Sequence, residues 1–421
     1  MSGIFRDSAK LLTANVVAQA IGLLVYPVLT RLYSPDDFGL LNLFSSIAGV
    51  AVLFATAEFQ YAIVLPKENK KTVSLTVLSL TILLAVTAFL ALTVPFAKSI
   101  AAVFKAPDLT KIYWLLPVFI LLSGFWNVLN YNYLRNQQYM RMSGYQISQS
   151  VFSATGKLGF GFAGKTTIGL PLATVLAQLG SLGLSLGLSW KKLRAGWERI
   201  TWSDCRSVAR EYRNFPMFNL PRALVNSLGQ ALPIWFLTPC FGLEKVGHLS
   251  LALLAAFVPL NIIARACYQV LFQKVSEAVQ QQLPIRQLLC RFMLWMVAVL
   301  AVGMAVVYFF VPQLVTVLFG AEWAESAQII RRMYPYLLLM PVCGTICFLS
   351  DVFAKQKIAM WMEAGYVAAV AVVLFLGTRF GGFLPTISAY AWVGFTYLFI
   401  QLLWFVSLVR HYQQTLEVRS E

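Results

Sequence analysis

The segment WKKLRAGWERITWSDCRSVAREYR, residues 190–213, is the longest polar stretch of the chain. It carries seven basic residues and three acidic ones. About two hundred residues of almost continuous apolar sequence lie on each side of it. Because a stretch with this charge does not fit within hydrocarbon, we interpret it as a basic linker between two apolar halves.

The composition places both halves in a membrane. Hydrophobic residues make up 59% of the 421 residues, and charged residues make up 12%, whereas soluble domains average about 25% charged residues. The sequence therefore predicts an all-α polytopic membrane protein. The excess of 33 Lys and Arg over 17 Asp and Glu is typical of basic inside loops, so no nucleic-acid partner is expected.

Twelve segments are long enough to cross about 30 Å of hydrocarbon at about 20 residues each. They are residues 10–30, 39–64, 73–95, 112–133, 143–164, 167–189, 215–238, 247–270, 288–311, 328–351, 358–378 and 385–409. With the N-terminus inside, the inside segments hold 21 basic residues and the outside loops hold 7. This asymmetry predicts that both termini lie in the cytoplasm.

The linker divides the predicted spans equally. We expect a six-helix lobe at residues 1–189, the basic cytoplasmic linker at 190–213, and a second six-helix lobe with a short cytoplasmic tail at 214–421. A weak internal repeat supports this division, because several residues recur after a shift of 208 positions: Leu29, Thr30, Tyr33, Asp36 and Gly39 correspond to Leu237, Thr238, Phe241, Glu244 and Gly247. Such a duplication predicts two parallel lobes around a substrate site.

The loop Ser34–Gly39 has two interpretations. Asp36 and Asp37 are an acidic pair of the kind that a lipid-dependent glycosyltransferase needs. The pattern also fits a helix start, with Ser34 as N-cap, Pro35 in the first turn and both carboxylates near the positive end of the helix dipole. The repeat has Glu244 and Lys245 in the corresponding places, which favours the helix start.

Charged residues within the predicted spans are candidates for function, because each costs about 2.5–3.5 kcal/mol at mid-bilayer on insertion scales. The alternative is that their side chains reach the membrane surface or pair with a neighbouring acid. The basic candidates for a substrate-binding cavity are Lys157, Arg222, Arg265, Arg331 and Arg332. Their excess over acids predicts a cavity that attracts phosphate or diphosphate.

The acidic candidates are Glu58, Asp351 and Glu363. A buried carboxylate can take up a coupling proton. Glu58 can equally neutralise Arg222 or Arg265, since all three are predicted at a similar inner depth. No nucleotide-binding loop is present, and six cysteines with two histidines form no metal set, so no cofactor is expected beyond proton or sodium coupling.

The order of motifs resembles that of bacterial Wzx-type lipid-linked oligosaccharide flippases, the polysaccharide transport family of the MATE-like (MOP) exporter superfamily. The motifs that carry the resemblance are YSPDDFG at 33–39, AIVLPK at 62–67, GLEKVG at 242–247 with LSLA at 249–252, Pro259, and LFGAEW at 318–323. Where related sequences often have Arg and Glu before the AIVLP run, this chain has Glu58 and Gln60. Ion-coupling residues are therefore not carried over from the family.

The resemblance implies a V-shaped pair of six-helix lobes that moves a polyprenyl-diphosphate-linked oligosaccharide to the outer leaflet for O-antigen or capsule synthesis. The expected partners are this substrate, membrane lipids and other polysaccharide-assembly proteins. Two alternatives stay open: an ion-coupled drug or organic-ion antiporter of the same fold, which would need cavity acids, and a membrane glycosyltransferase or polymerase, which would need a substantial outside loop with catalytic residues.

Overall fold

The protein is all-α, as predicted. The computed structural model describes residues 2–187 and 200–420, with the side chains of 17–187 and 200–416. Within these ranges the chain forms helices joined by short turns, and no strand occurs. Nine of the described segments are long and apolar enough to cross a membrane. The protein is therefore a multi-pass membrane protein.

Two compact units divide the chain at residue 247. The first unit contains, in chain order, α1 (Ser2–Leu32), α2 (Pro35–Ala55), a 3-10 helix (Phe59–Val64), α3 (Asn69–Ala91), a 3-10 turn (Val94–Phe96), α4 (Ala97–Val103), α5 (Leu109–Ile112), α6 (Leu115–Arg135), α7 (Tyr139–Phe162), α8 (Thr166–Gly187), α9 (Trp202–Glu211), a π-helical turn (Phe215–Asn219) and the first part of α10 (Leu220–Gln280).

The second unit begins within α10. It continues with α11 (Arg286–Phe319), a 3-10 turn (Ala321–Trp323), α12 (Ala324–Ile346), α13 (Leu349–Val352), α14 (Gln356–Phe380) and α15 (Phe383–Ser420). The boundary between the two units along the chain therefore lies at residue 247. The lobe borders expected at 189 and 214 stay a prediction, and residues 190–199 of the linker lie outside the described residues.

Each unit has its own core. In the first, α6 packs against α2, α3 and α8, and α7 packs against α1 and α8. In the second, α12 packs against α11 and α15, and α15 also packs against α14. A buried cluster at one end of the second unit includes Leu271, Leu289, Phe348 and Phe405. In a bilayer such contacts stabilise through close packing, because lipid tails are as apolar as the helices.

Each of the twelve predicted spans overlaps a helix, but several bounds were wrong. The second span was expected to reach residue 64, whereas α2 ends at Ala55. The chain then turns through Ala57 and Glu58, which both have positive φ angles, and enters a 3-10 helix. The ninth span was expected to end at residue 311, whereas α11 continues across Pro312 to Phe319.

The predicted outside loop between the seventh and eighth spans is also different. Residues 239–246 are helical except at Gly242, where φ is 87° and ψ is 170°. Only a residue without a Cβ adopts this conformation at low cost. Gly242 therefore breaks α10 within a single residue, and no separate loop is needed between the two spans.

The structure confirms that Ser34 starts a helix. Its hydroxyl accepts the backbone N–H of Asp37, and the Asp37 carboxylate accepts the backbone N–H of Ser34 at 3.0 Å. This reciprocal capping box satisfies two backbone donors at the start of α2. Asp36 in the same turn accepts the backbone N–H of Glu244. Both carboxylates therefore serve helix starts.

A reciprocal contact joins the two copies of this motif within the first unit. A Cβ on Gly39 would overlap the carbonyl group of Leu243, and a Cβ on Gly247 would overlap the carbonyl group of Pro35. The shift of 208 residues converts one pair into the other, since Gly39 corresponds to Gly247 and Pro35 to Leu243. Such reciprocity is the property of a two-fold contact, and it supports the internal repeat.

We expect Gly39→Ala and Gly247→Ala each to destabilise the protein by about 1–3 kcal/mol, because the new methyl group meets backbone that cannot rotate away. The matched control is Gly49→Ala on the same helix as Gly39, where an added Cβ meets nothing within 4 Å. The measurement is the thermal midpoint of the purified protein in detergent. Equal midpoints for all three variants would contradict the close backbone approach.

Candidate functional site

Lys157 lies half-buried on α7, five residues before the end of that helix. The Tyr33 hydroxyl donates a hydrogen bond of 2.6 Å to the Lys157 carbonyl and so fixes α7 against the end of α1. Within the described part of the chain, the Lys157 ammonium has no ion-pair or hydrogen-bond partner. Its charge is therefore not neutralised by a neighbouring acid.

Lys157 lines a cavity of about 210 Å³ among α1, α7 and α8. This volume is several times the roughly 30 Å³ share of one water molecule. The lining includes no acidic residue and consists of Gly22, Val25, Tyr26, Leu29, Gln149, Ser150, Ser153, Ala154, Lys157, Thr174 and Ala177. An ammonium group among hydroxyl and amide groups can bind an anion, and the lining has no carboxylate that would favour a cation.

Arg222 and Arg265 are both exposed on α10. Neither has a hydrogen bond or an ion pair to any described residue. Arg222 lies seven residues after Phe215, where the candidate span that contains α10 begins with a π-helical turn. Both guanidinium groups keep all their donors available for another molecule.

Arg331 and Arg332 on α12 are already engaged within the second unit. The Arg331 guanidinium donates to the carbonyl oxygens of Tyr308 and Phe309 at 3.0 and 3.3 Å, and it lies 5.3 Å from the centre of the Tyr308 ring. Arg332 donates to the Ser388 hydroxyl at 3.0 Å. These contacts tie α12 to α11 and to α15, respectively. Both arginines therefore contribute to helix packing, and their role in substrate binding stays a prediction.

Glu58 is only 4% exposed and stands in the left-handed region, with φ at 64°. Its side chain is hydrogen-bonded to Gln60, which is also buried and in turn accepts a bond from Thr56. No ion pair joins Glu58 to Arg222 in the first unit. The interpretation that Glu58 neutralises Arg222 is therefore not supported.

Glu58 is also far from Lys157. Tyr33, which binds the Lys157 carbonyl, precedes the first residue of α2, and Glu58 follows the last. The 21 residues of α2 span about 30 Å at 1.5 Å per residue. Lys157 and Glu58 thus belong to opposite ends of the first unit, and the structure does not bring them together.

The other two acids lie in the second unit. Asp351 is exposed on the four-residue helix α13. Glu363 is half-buried on α14 and is close enough to Tyr397 on α15 for the two to interact electrostatically. The Tyr397 hydroxyl also accepts a hydrogen bond from Gln401 at 3.3 Å. Glu363 is therefore part of a polar network in the second unit.

A group of tyrosines surrounds this position. The Tyr366 hydroxyl is hydrogen-bonded to those of Tyr336 and Tyr390, and the Tyr366 ring stacks on Tyr397 with centroids 4.5 Å apart. A cavity of about 470 Å³ lies beside them and is lined by Met362, Gly365, Tyr366, Ala369, Trp392, Val393, Thr396, Tyr397 and Ile400. Its walls are aromatic and apolar, unlike those of the Lys157 cavity.

The profile of a family described as "Polysaccharide biosynthesis protein" matches residues 28–328. The match covers more than half of the chain and includes α7 and α8, which line the Lys157 cavity. The chain belongs to this polysaccharide biosynthesis protein family. The resemblance drawn from the sequence motifs is thereby confirmed. A comparison with curated proteins finds no match.

Solved structures show which fold this family member has. An inward-facing multidrug resistance MATE family transporter of the MOP superfamily is similar with a TM-score of 0.74 and 15% identity, covering 96% of this chain and 99% of that one. The lipid II flippase MurJ, in an inward closed conformation, has a TM-score of 0.71 and 12% identity, with coverages of 97% and 91%. A MOP superfamily transporter from Pyrococcus furiosus, described as having a binding pocket of reversed polarity, has a TM-score of 0.61 and 15% identity, with coverages of 97% and 96%. The fold is therefore that of MOP superfamily transporters.

Sequence reasoning missed the polar residues around Lys157. The signal was present, because Gln149, Ser150 and Ser153 interrupt the apolar pattern of the predicted span 143–164. It also missed the tyrosine group of the second unit. Those residues come from three separate helices and show no spacing that joins them in the sequence.

We expect Arg331→Gln to lower the unfolding free energy by about 1–2 kcal/mol, since two charge-assisted hydrogen bonds to carbonyl groups are lost. Arg222→Gln should leave stability within about 0.5 kcal/mol, because an exposed residue without partners is replaced. The check is the thermal midpoint of both variants in one detergent. A larger loss for Arg222→Gln than for Arg331→Gln would reverse the assignment of free and engaged arginines.

Proposed function

We propose that the protein is a flippase that moves a polyprenyl-diphosphate-linked oligosaccharide from the inner to the outer leaflet of the bacterial inner membrane. It would do so without chemistry on the substrate, as a step in O-antigen or capsule synthesis. The family match over residues 28–328 carries this proposal, since polysaccharide biosynthesis requires that lipid-linked intermediates cross the membrane. A MOP transporter fold supplies a means of transport.

The charge of the Lys157 cavity supports an anionic substrate. The cavity in the first unit is lined by a lysine with hydroxyl and amide groups and by no acid. A diphosphate offers oxygen acceptors that such groups can bind. We assign Lys157, Arg222 and Arg265 to the binding of the diphosphate at different stages, and we assign Arg331 and Arg332 to packing.

The mechanism that we propose is alternating access by rocking of the two repeat-related lobes. A substrate drives such a cycle only if it binds one state better than the other. Glu363, which interacts with Tyr397, is our first candidate for a coupling proton or sodium ion. Glu58, which is hydrogen-bonded to Gln60, and Asp351, which is exposed on α13, are second candidates.

Two rival functions make different demands. A drug or organic-cation antiporter needs carboxylates in its cavity, and the Lys157 cavity has none. A glycosyltransferase needs catalytic carboxylates, and Asp36 and Asp37 are instead used at helix starts. An enzyme would form a new glycosidic bond, whereas a flippase changes only the leaflet in which its substrate lies.

The proposed function predicts the effect of removing each free cation. Lys157→Ala, Arg222→Ala and Arg265→Ala should each reduce glycan export at least tenfold, and Arg222→Lys should retain part of it because charge is kept while the two-pronged geometry is lost. Export is measured in cells at matched membrane abundance. Arg291→Ala, which removes an exposed basic residue without a described partner, is the control. Parental export by all three alanine variants would refute the anionic cavity.

The proposed orientation is tested by labelling with a membrane-impermeant thiol reagent. In a background without native cysteines, Ser203→Cys and Gln414→Cys should be protected in intact cells, and Lys105→Cys should react. All three positions are exposed, so protection reports the side of the membrane. Reaction at position 203 in intact cells would place the linker outside.

A further inference from the structure

Helix α9, the described part of the basic linker, is seated on the first unit by its apolar side. Cys205 and Val208 are buried in a cluster that includes Phe59, Ile63 and Leu75. The helix begins with a second capping box, in which the Thr201 hydroxyl accepts the Asp204 N–H and the Asp204 carboxylate accepts the Thr201 N–H at 3.0 Å. The helix is therefore held in place without the arginines on its exposed side.

One flank of α9 is acidic and already paired. Asp204 lies 2.7 Å from the Lys70 ammonium, and both oxygens of Glu211 accept bonds from Lys71 at 2.9 and 3.0 Å. The bond from Lys70, with those from Thr201, lowers the pKa of Asp204 to about 2. This carboxylate is therefore charged throughout the neutral pH range. Both carboxylates of this flank are therefore paired with lysines at the start of α3.

These contacts also fix the level of α9 relative to the membrane. Lys70 and Lys71 lie in the first turn of α3, which is a candidate membrane span. After Glu211 only eight residues separate α9 from Leu220, the first residue of α10. Because both neighbouring helices are spans, α9 lies at the membrane surface.

The opposite flank is basic and exposed. Trp202, Arg206 and Arg210 follow one another at intervals of four residues and therefore lie on one side of the helix, with Arg213 just beyond its end. All four are exposed, and Trp202 is 68% exposed. No described residue forms a hydrogen bond or an ion pair with any of the three guanidinium groups. Asp204 and Glu211 face the other flank.

We propose that the flank formed by Trp202, Arg206, Arg210 and Arg213 binds the head groups of anionic phospholipids in the adjoining leaflet. Arginine supplies two-pronged bonds to phosphate, and an exposed tryptophan is typical of the membrane–water interface. Met217 and Phe218, which follow the flank directly, are 58% and 65% exposed and continue it into the apolar layer. A basic surface beside exposed apolar residues at this level fits a lipid surface.

The experiment measures lipid preference by native mass spectrometry. The full-length protein is offered phosphatidylglycerol and phosphatidylcholine with identical acyl chains, and the relative occupancy gives the preference. In the triple variant Arg206→Gln, Arg210→Gln, Arg213→Gln, the preference for phosphatidylglycerol over phosphatidylcholine should fall at least tenfold. The matched control, Lys274→Gln, Arg286→Gln, Arg291→Gln, removes three exposed basic residues of the second unit and should change it less than twofold.

An unchanged preference in the triple variant overturns the proposal, and so does an equal loss in the control. A third arm offers a polyprenyl diphosphate. If the triple variant loses binding of this lipid and keeps its preference for phosphatidylglycerol, the flank binds substrate and the proposal is wrong. A spin label at Ser203→Cys supplies an independent measure, since added phosphatidylglycerol should bring it closer to the bilayer only when the three arginines are present. None of these outcomes depends on whether the protein is a flippase.

Discussion

The close approach of backbone to backbone at Gly39 and Gly247 constrains the first unit more than any other contact. Each glycine lies against a carbonyl group of the other repeat copy, so neither helix start can carry a side chain there. The same two segments exchange a further bond, because Asp36 accepts the N–H of Glu244. Helix ends leave backbone donors unsatisfied, and hydrocarbon offers no water to them. Side chains satisfy three of these donors here, because Ser34 and Asp37 cap each other and Asp36 accepts the N–H of Glu244.

The cost of burying charge sorts the remaining ionic residues into two groups. Arg331, Arg332 and Asp204 have their donors or acceptors engaged by groups of the same unit. Lys157, Arg222 and Arg265 have no such partner among the described residues. A buried cation without a partner is unfavourable, and this applies to the half-buried Lys157 more than to the exposed Arg222 and Arg265. The sequence does not show this distinction, because it depends on contacts between residues that lie far apart along the chain.

The sequence was sufficient for the features that depend on local chemistry and hydropathy. It predicted the all-α membrane fold, the order of the spans and the capped helix start at Ser34, because these follow from apolar length and from residues within one turn. It was insufficient where backbone conformation or distant packing decides. The sequence placed Glu58 within a span, whereas α2 ends at Ala55 and Glu58 lies in the turn that follows, with a positive φ angle. It also predicted a loop where the helix is interrupted only at Gly242. The Lys157 cavity needed three helices, of which α1 is more than a hundred residues away from α7 in the sequence.

The two cavities differ in chemistry. The first unit offers a lysine with hydroxyl and amide groups, which suits a charged phosphate group. The second unit offers Trp392, Tyr366 and Tyr397 beside small residues, which suits the apolar face of a sugar ring or an isoprenoid chain. Each cavity is built within one unit, the first from α1, α7 and α8 and the second from α14 and α15, so the chemistry of each follows from the packing of its own helices.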